Sequence, residues 1–375
     1  TDNTQHAVIA PGAAPAATLA GFAIRRGYDF RPGAGGYGGG IYVFSGAPTL
    51  RSLLVEGTDA GSGGGAYVAG EAAVRMEECA FVDNRGWEGG GIHLREAELD
   101  IVGGLFQQND GGSGGGGIQN TIDSLLRVSH TVFDRNVSLE SGSSPGPAGA
   151  GILTTGRAAT VGTQLLFVDN HAVVGGGLCA FTQGRVRLSH ATFVGNRGGF
   201  GGALSVWNAS EVDLANGVLF GNLIGTERPN GRAPAILAAS NGDRGGTVRV
   251  HFSLIEGGIG GAGVDVCARC AVEDVEGNGD GDPAFVAATD PPGMDGVLGT
   301  GDDGFRPGLG SAAADTGTGE DVADLDGDGD VAEAVPDLLD VDGDGDRDEA
   351  VPTDVAGQPR SVGTAMDIGA YERQP

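Results

Sequence analysis

Along the first two-thirds of the chain, a phrase of small residues followed by alternating apolar ones keeps returning. It reads GGGIYV at 38–43, GGGAYV at 63–68, GGGIHL at 89–94 and GGGGIQ at 114–119. It continues as AGAGIL at 148–153, GGGLCA at 175–180, FGGALS at 200–205 and a degraded APAIL at 233–237. A second phrase lies between the copies: Phe81-x-x-Asn84, Phe106-x-x-Asn109, Phe133-x-x-Asn136, Phe167-x-x-Asn170, Phe193-x-x-Asn196 and Leu219-x-x-Asn222. The asparagines are 25, 27, 34, 26 and 26 residues apart, and a Ser/Gly/Pro insertion between Val137 and Ala148 accounts for the long interval. No window sustains an i, i+3, i+4 apolar pattern, and so many glycines would each cost a helix about 1 kcal/mol. Short period-2 runs such as Val186-Arg187-Leu188 and Ala191-Thr192-Phe193 read instead as strands between turns.

A repeat near 26 residues that carries several short strands predicts an all-β fold, a right-handed parallel β-helix of about ten turns. Residues 1–272 form the repeats, and 273–375 an irregular acidic C-terminal segment and cap. Stacking turns about 4.8 Å apart gives a rod of roughly 45–50 Å. The phenylalanines then form an internal ladder. The asparagines are expected at tight turns with φ > 0, their amides bonding from turn to turn, and the glycines at corners.

Composition sharpens this picture. The chain has 375 residues, 74 of them glycine, without a Gly-X-Y period; all 22 basic residues are arginine. The net charge is −28, and the part from Glu273 onward holds 27 of the 50 acidic residues but only 4 arginines. Acid spread evenly would read as adaptation to salt, whereas acid gathered in one segment reads as local metal binding. Nucleic acid is excluded as a partner, because phosphate binding needs clustered basic residues. No run of about 20 apolar residues exists to span a membrane.

Within the acidic segment, DLDGDGDVAEAVPD (324–337) and DVDGDGDRDEAVPTD (340–354) are a duplication offset by 16. Asp324, Asp326, Asp328, Asp330 and Glu333 align with Asp340, Asp342, Asp344, Asp346 and Glu349. Carboxylates alternating with glycine let a short loop wrap hard oxygens around one cation, which suits calcium. The spacing is not that of an EF-hand, since position 12 is Val335 or Val351. Asp295, Asp302 and Asp303 are a weaker cation-loop candidate.

The two repeated phrases resemble the GGA[IVL] and FxxN repeats of polymorphic outer-membrane proteins. The whole chain more closely resembles bacterial choice-of-anchor Q domain surface proteins of the pectin-lyase-like β-helix superfamily. The strings that carry this are ATLAGFAIRRG (17–27), GDPAF (281–285), DGVLGTGDDGFRPGLGSAAADTG (295–317) and DVAGQPRSVGTAMDIGAYE (354–372). The resemblance implies an extracellular or cell-surface protein. It also implies that the chain starts partway into the solenoid, near His6-Ala7-Val8, where an apolar first turn offers an unpaired edge. End-to-end self-association into filaments follows as an expectation, with surface glycans or a neighbouring cell surface as further partners. The stretch from Thr1 to Thr4 shows no charged-then-apolar signal peptide, so either a leader was removed or the sequence starts downstream of one.

The same superfamily makes a polysaccharide lyase or hydrolase the rival to a structural protein, and a non-catalytic glycan-binding module a further alternative. Asp83, Asp134 and Asp169, at the x positions of the FxxN phrase, fall on different turns, and no lysine exists to act as a base. The expectation is therefore a non-enzyme. Repeat equivalence explains His130 and His190, each in a Ser-His-x-x-Phe context. Cys79, two residues before Phe81, points inward, and a bridge to Cys179 is not expected. Cys267 and Cys270 are zinc ligands, redox thiols or a local disulfide. The disulfide fits best, because zinc needs two further soft ligands. Tyr37, Trp87 and Trp207 are candidates for sugar stacking, none one repeat from another.

Overall fold

The computed structural model describes residues 8–13, 17–29, 35–139, 148–224, 235–318, 320, 323, 325, 353–360 and 365–373. Every pairing between the described strands is parallel, and each turn pairs with the turns that neighbour it. The molecule is a parallel β-helix. One face is a ten-stranded sheet running from Val8–Ala13 through Ile92–Arg95 and Leu178–Phe181 to Val264–Val266. A second face is a sixteen-stranded sheet to which most turns contribute two short strands or one long one, such as Leu125–Asp134 and Arg185–Val194. The narrow third face holds two small sheets: Tyr28–Asp29, Asp59–Ser62 and Arg85–Glu88, then Val137–Ser138, His171–Ala172, Arg197–Gly198 and Leu223–Ile224.

Period-2 alternation within each strand, repeated in register on every turn, produces interior columns. Leu50, Met76, Ile101, Val128, Leu188, Leu214 and Val250 form one, with Gly162 in the fifth rung. The phenylalanine ladder is another. Phe81, Phe106, Phe133, Phe167 and Phe193 stack with ring centroids 5.2, 5.1, 4.8 and 4.4 Å apart and planes within 11° of parallel. Beside it runs the asparagine ladder. Each side-chain amide, from Asn84 to Asn196, donates to the Oδ1 of the next asparagine at 2.9–3.0 Å. The same Oδ1 accepts the backbone N–H of the preceding asparagine. From Asn109 onward the amide also donates to the carbonyl of the phenylalanine one turn earlier.

One sequence expectation is corrected here. The asparagines do not occupy the left-handed position; the residue before each one does. Asp83, Gln108, Arg135 and Asp169 have φ of 54°, 56°, 51° and 51°, and Gly195 and Gly221 take the same place in the next turns. The strained corner is thus set one residue earlier, which aims the asparagine inward. Strand pairing also runs to Ala271–Glu276, past the change of charge at 272/273. In this last rung Asp274 stands in the column of Leu50 and Val250. Asp274 is exposed there and accepts from the Asn278 amide, and three carboxylates in one edge strand, with Glu273 and Glu276, blunt that end against further pairing. Cys267 and Cys270 form a disulfide next to it, whereas Cys79 and Cys179 are buried thiols. No helix among the described residues is long and apolar enough to cross a membrane.

Candidate functional site

On the sixteen-stranded sheet, the outward face of the FxxN strands is apolar. Leu105, Val132, Leu166, Val218 and Leu254 lie in one register column, interrupted only by Thr192. The C-terminal segment covers this column. Val132, Leu166 and Val168 cluster with Phe305, Val355, Ala370 and Tyr371; Val218 and Leu254 cluster with Ala313 and Ile368. The described part of the segment therefore lies along the side of the turns, and is a clasp where the sequence predicted an end cap.

Polar contacts fasten the clasp at a second column. Midway along each long strand, at His130, Gln164 and His190, and between two short ones at Asn216, the backbone turns through the left-handed region. Asn216 exchanges two hydrogen bonds with the Thr318 backbone, each 2.8 Å. The Asn216 carbonyl accepts the Gly369 N–H, and Thr192 Oγ1 that of Ala370. His130 shares its Nε2 with Thr353 Oγ1 at 3.1 Å. Inside the clasp, Asp354 accepts the N–H groups of Ala356, Gln358 and Glu372, and Asp367 those of Asp315 and Arg373. Tyr371 donates its hydroxyl to Asp303. Arg360 is 2% exposed and donates to the Gly369 carbonyl. Burial lowers its pKa to about 10, against the pull of Glu372, Asp354 and Asp367.

Where the clasp leaves the solenoid wall, a cleft of about 750 Å³ opens between Arg51, Arg75, Glu77 and Glu78 on one side and His130 and Thr353 on the other. Its charges are matched: Arg51 lies 2.5 Å and Arg75 2.7 Å from Glu77. The Arg75 hydrogen bond holds the Glu77 carboxyl below its usual range, and burial lowers His130 to about 4. Both displacements move away from neutrality, opposite to what a general acid or base at pH 7 requires.

The ten carboxylates expected to bind calcium, Asp324 to Glu349, lie outside the described residues. The segment that holds them is anchored on both sides: Ala323 and Leu325 pack against Ala215 and Val161, and Thr353 meets His130. Asp295, Asp302 and Asp303 do not converge as a cation loop. Asp302 accepts from the Met294 and Asp295 N–H groups, Asp303 from those of Gly299 and Thr300, and Asp295 from Val297. Among the described residues no three acidic, His or Cys side chains group as a metal would need. Trp207 is buried among Leu153, Cys179 and Leu237, and Tyr37 packs on Tyr67 with centroids 4.7 Å apart. Tyr37 and Trp87 are 43% and 52% exposed, Tyr37 with one side against Tyr67.

Sequence reasoning flagged the strings 295–317 and 354–372 without finding their role as a clasp. A signal was present: Val132, Leu166 and Val218 make the FxxN strands apolar on both faces, as strands covered on both sides are. No family model matches the chain, and no curated protein or solved structure is significantly similar to it.

Proposed function

We propose that the protein is a secreted or cell-surface structural rod that presents its loops and is stabilised by calcium in the acidic segment. The observation that carries this reading is the way its outer charges are arranged. Arg25–Glu56, Arg51–Glu77, Asp100–Arg127, Asp213–Arg249 and Arg249–Glu273 are ion pairs between residues directly opposite on adjacent turns. Exposed pairs of this kind contribute only about 0.2–1 kcal/mol each. Their effect is to neutralise the wall and hold register. Calcium is supported by the duplicated Asp-Gly pattern and by the fixed flanks of its segment. The acidic last rung opposes stacking at that end, so any end-to-end assembly has to overcome it.

A polysaccharide lyase or hydrolase is the second reading, favoured by the cleft beside His130. Incubation with a panel of acidic and neutral polysaccharides, with and without calcium, separates the two. Absence of new reducing ends or unsaturated sugars supports the rod. Product formation that Glu77→Gln or Arg75→Ala abolishes overturns it.

A further inference from the structure

On the third face, the first turns place unlike side chains in one outward column. Tyr28 pairs in register with Asp59, Asp59 with Arg85, and Arg85 bridges to Asp110. Trp87 follows two residues after Arg85 on the same strand. Small residues leave a hollow here: Tyr28, Asp59, Arg85 and Trp87 surround a depression of about 270 Å³ with Ala60, Gly86 and Gly112. Tyr28 and Trp87 are 45% and 52% exposed, a large apolar surface to leave in water on one small sheet. Tyr28 and Arg85 are two rungs apart, roughly 10 Å.

We propose that this depression binds a neutral glycan unit. The negative face of an aromatic ring attracts the polarised C–H bonds on the apolar face of a pyranose. Two rings and a few convergent polar groups are what a small-ligand site needs for contact area and orientation. Asp59 supplies an acceptor for sugar hydroxyls: its carboxylate is partly buried and makes no hydrogen bond among the described residues. Arg85, 64% exposed and 3.8 Å from Asp110, supplies donors. The local charge selects against other ligands. Two carboxylates with one guanidinium, on a chain of net charge −28, disfavour an anion. The guanidinium that lines the same depression disfavours a quaternary ammonium, which would otherwise suit an aromatic pair.

This inference goes beyond the rod reading and does not rest on it; the titration and the turnover assay fail independently. The chain has two tryptophans, so Trp207→Phe leaves Trp87 as the only one, its emission read under excitation that tyrosine does not absorb. That variant is titrated with cellohexaose, mannohexaose and xylohexaose, and with hexagalacturonate and choline as charged probes. A saturable change in emission with at least one neutral hexaose is expected. By calorimetry on the otherwise native chain, Trp87→Ala loses that binding and Asp59→Asn weakens it at least tenfold. Phe44→Ala, which removes an exposed ring on another face, binds as the native chain does. Unchanged melting temperatures exclude misfolding as the cause. No response to any neutral hexaose up to about 10 mM, weaker than a specific contact needs, overturns the proposal. So does binding confined to hexagalacturonate or choline, or binding that survives both Trp87→Ala and Asp59→Asn.

Discussion

A methyl group built on Gly151 would lie 2.7 Å from Cδ1 of Phe167. The same relationship links Gly65 to Phe81, Gly91 to Phe106, Gly117 to Phe133 and Gly177 to Phe193. The last glycine of each small-residue phrase is therefore the lid of the aromatic ladder, and the two repeated phrases are one packing unit. Gly151→Ala should destabilise by about 1–3 kcal/mol through overpacking, and Phe133→Ala by about 3–5 kcal/mol through the cavity it leaves. Gly242→Ala, with open space around it, should change stability by less than about 0.5 kcal/mol. Denaturant melts of the three variants check this; equal midpoints for all would contradict the ladder.

The asparagine ladder makes a second demand. Asn170 donates to the Phe133 carbonyl and Asn196 Oδ1, and accepts from the backbone and side chain of Asn136. Asn170→Ala orphans several of these buried groups, at about 1–3 kcal/mol for each left unpaired. Asn170→Asp keeps the acceptor yet loses both donors and buries a charge, so it should be at least as damaging. Thermal melts showing the aspartate variant at native stability would contradict the donor role.

Acid should loosen the clasp. His190 is 1% exposed, bonded to Ser189 Oγ and near Arg360, and burial drives its pKa well below 6.5; His130, bonded to Ser129 and Thr353, falls to about 4. Both folded-state pKa values are depressed, so the unfolded state binds more protons below pH 6.5. Stability contributed by the neutral rings is present above 6.5 and is lost as pH falls toward 4, at roughly 1.4 kcal/mol per pH unit for each fully shifted group. Limited proteolysis between pH 7 and 4 should show residues 281–373 becoming cleavable first. His190→Gln should flatten that dependence.

Calcium should order residues 320–354. Chelation is expected to lower the melting temperature or expose that segment to protease, and Asp328→Asn with Asp344→Asn to reproduce the effect. Calorimetry showing no heat of calcium binding at millimolar concentration, with native protease resistance after chelation, would remove calcium from the account.

The fold was legible because its two phrases recur in register: Phe81 to Phe193 and Asn84 to Asn222 state a turn length without any long-range information. The corner geometry was not, since Asp83, Gln108, Arg135 and Asp169 have no common chemistry to mark the left-handed position that their backbone occupies. At the clasp, Asp354, Arg360 and Asp367 occur once each. A single copy carries no periodicity, and Thr192 and Asn216, which hold Ala370, Gly369 and Thr318 of the clasp, are brought together only by the stacking of turns. Trp87 was singled out in the sequence but Tyr28 was not: the two sit at different positions within their turns, and line one depression only because Tyr28, Asp59 and Arg85 stack in register beside Trp87.

In a bare stack of turns each rung touches only its neighbours, so an end can peel away one rung at a time. The clasp grips the column from Leu105 to Leu254 through two apolar clusters and the Thr192 hydrogen bond between them. Pulled along its axis, this protein should therefore resist as a strapped bundle does, holding until the strap slips and then giving way across several turns together.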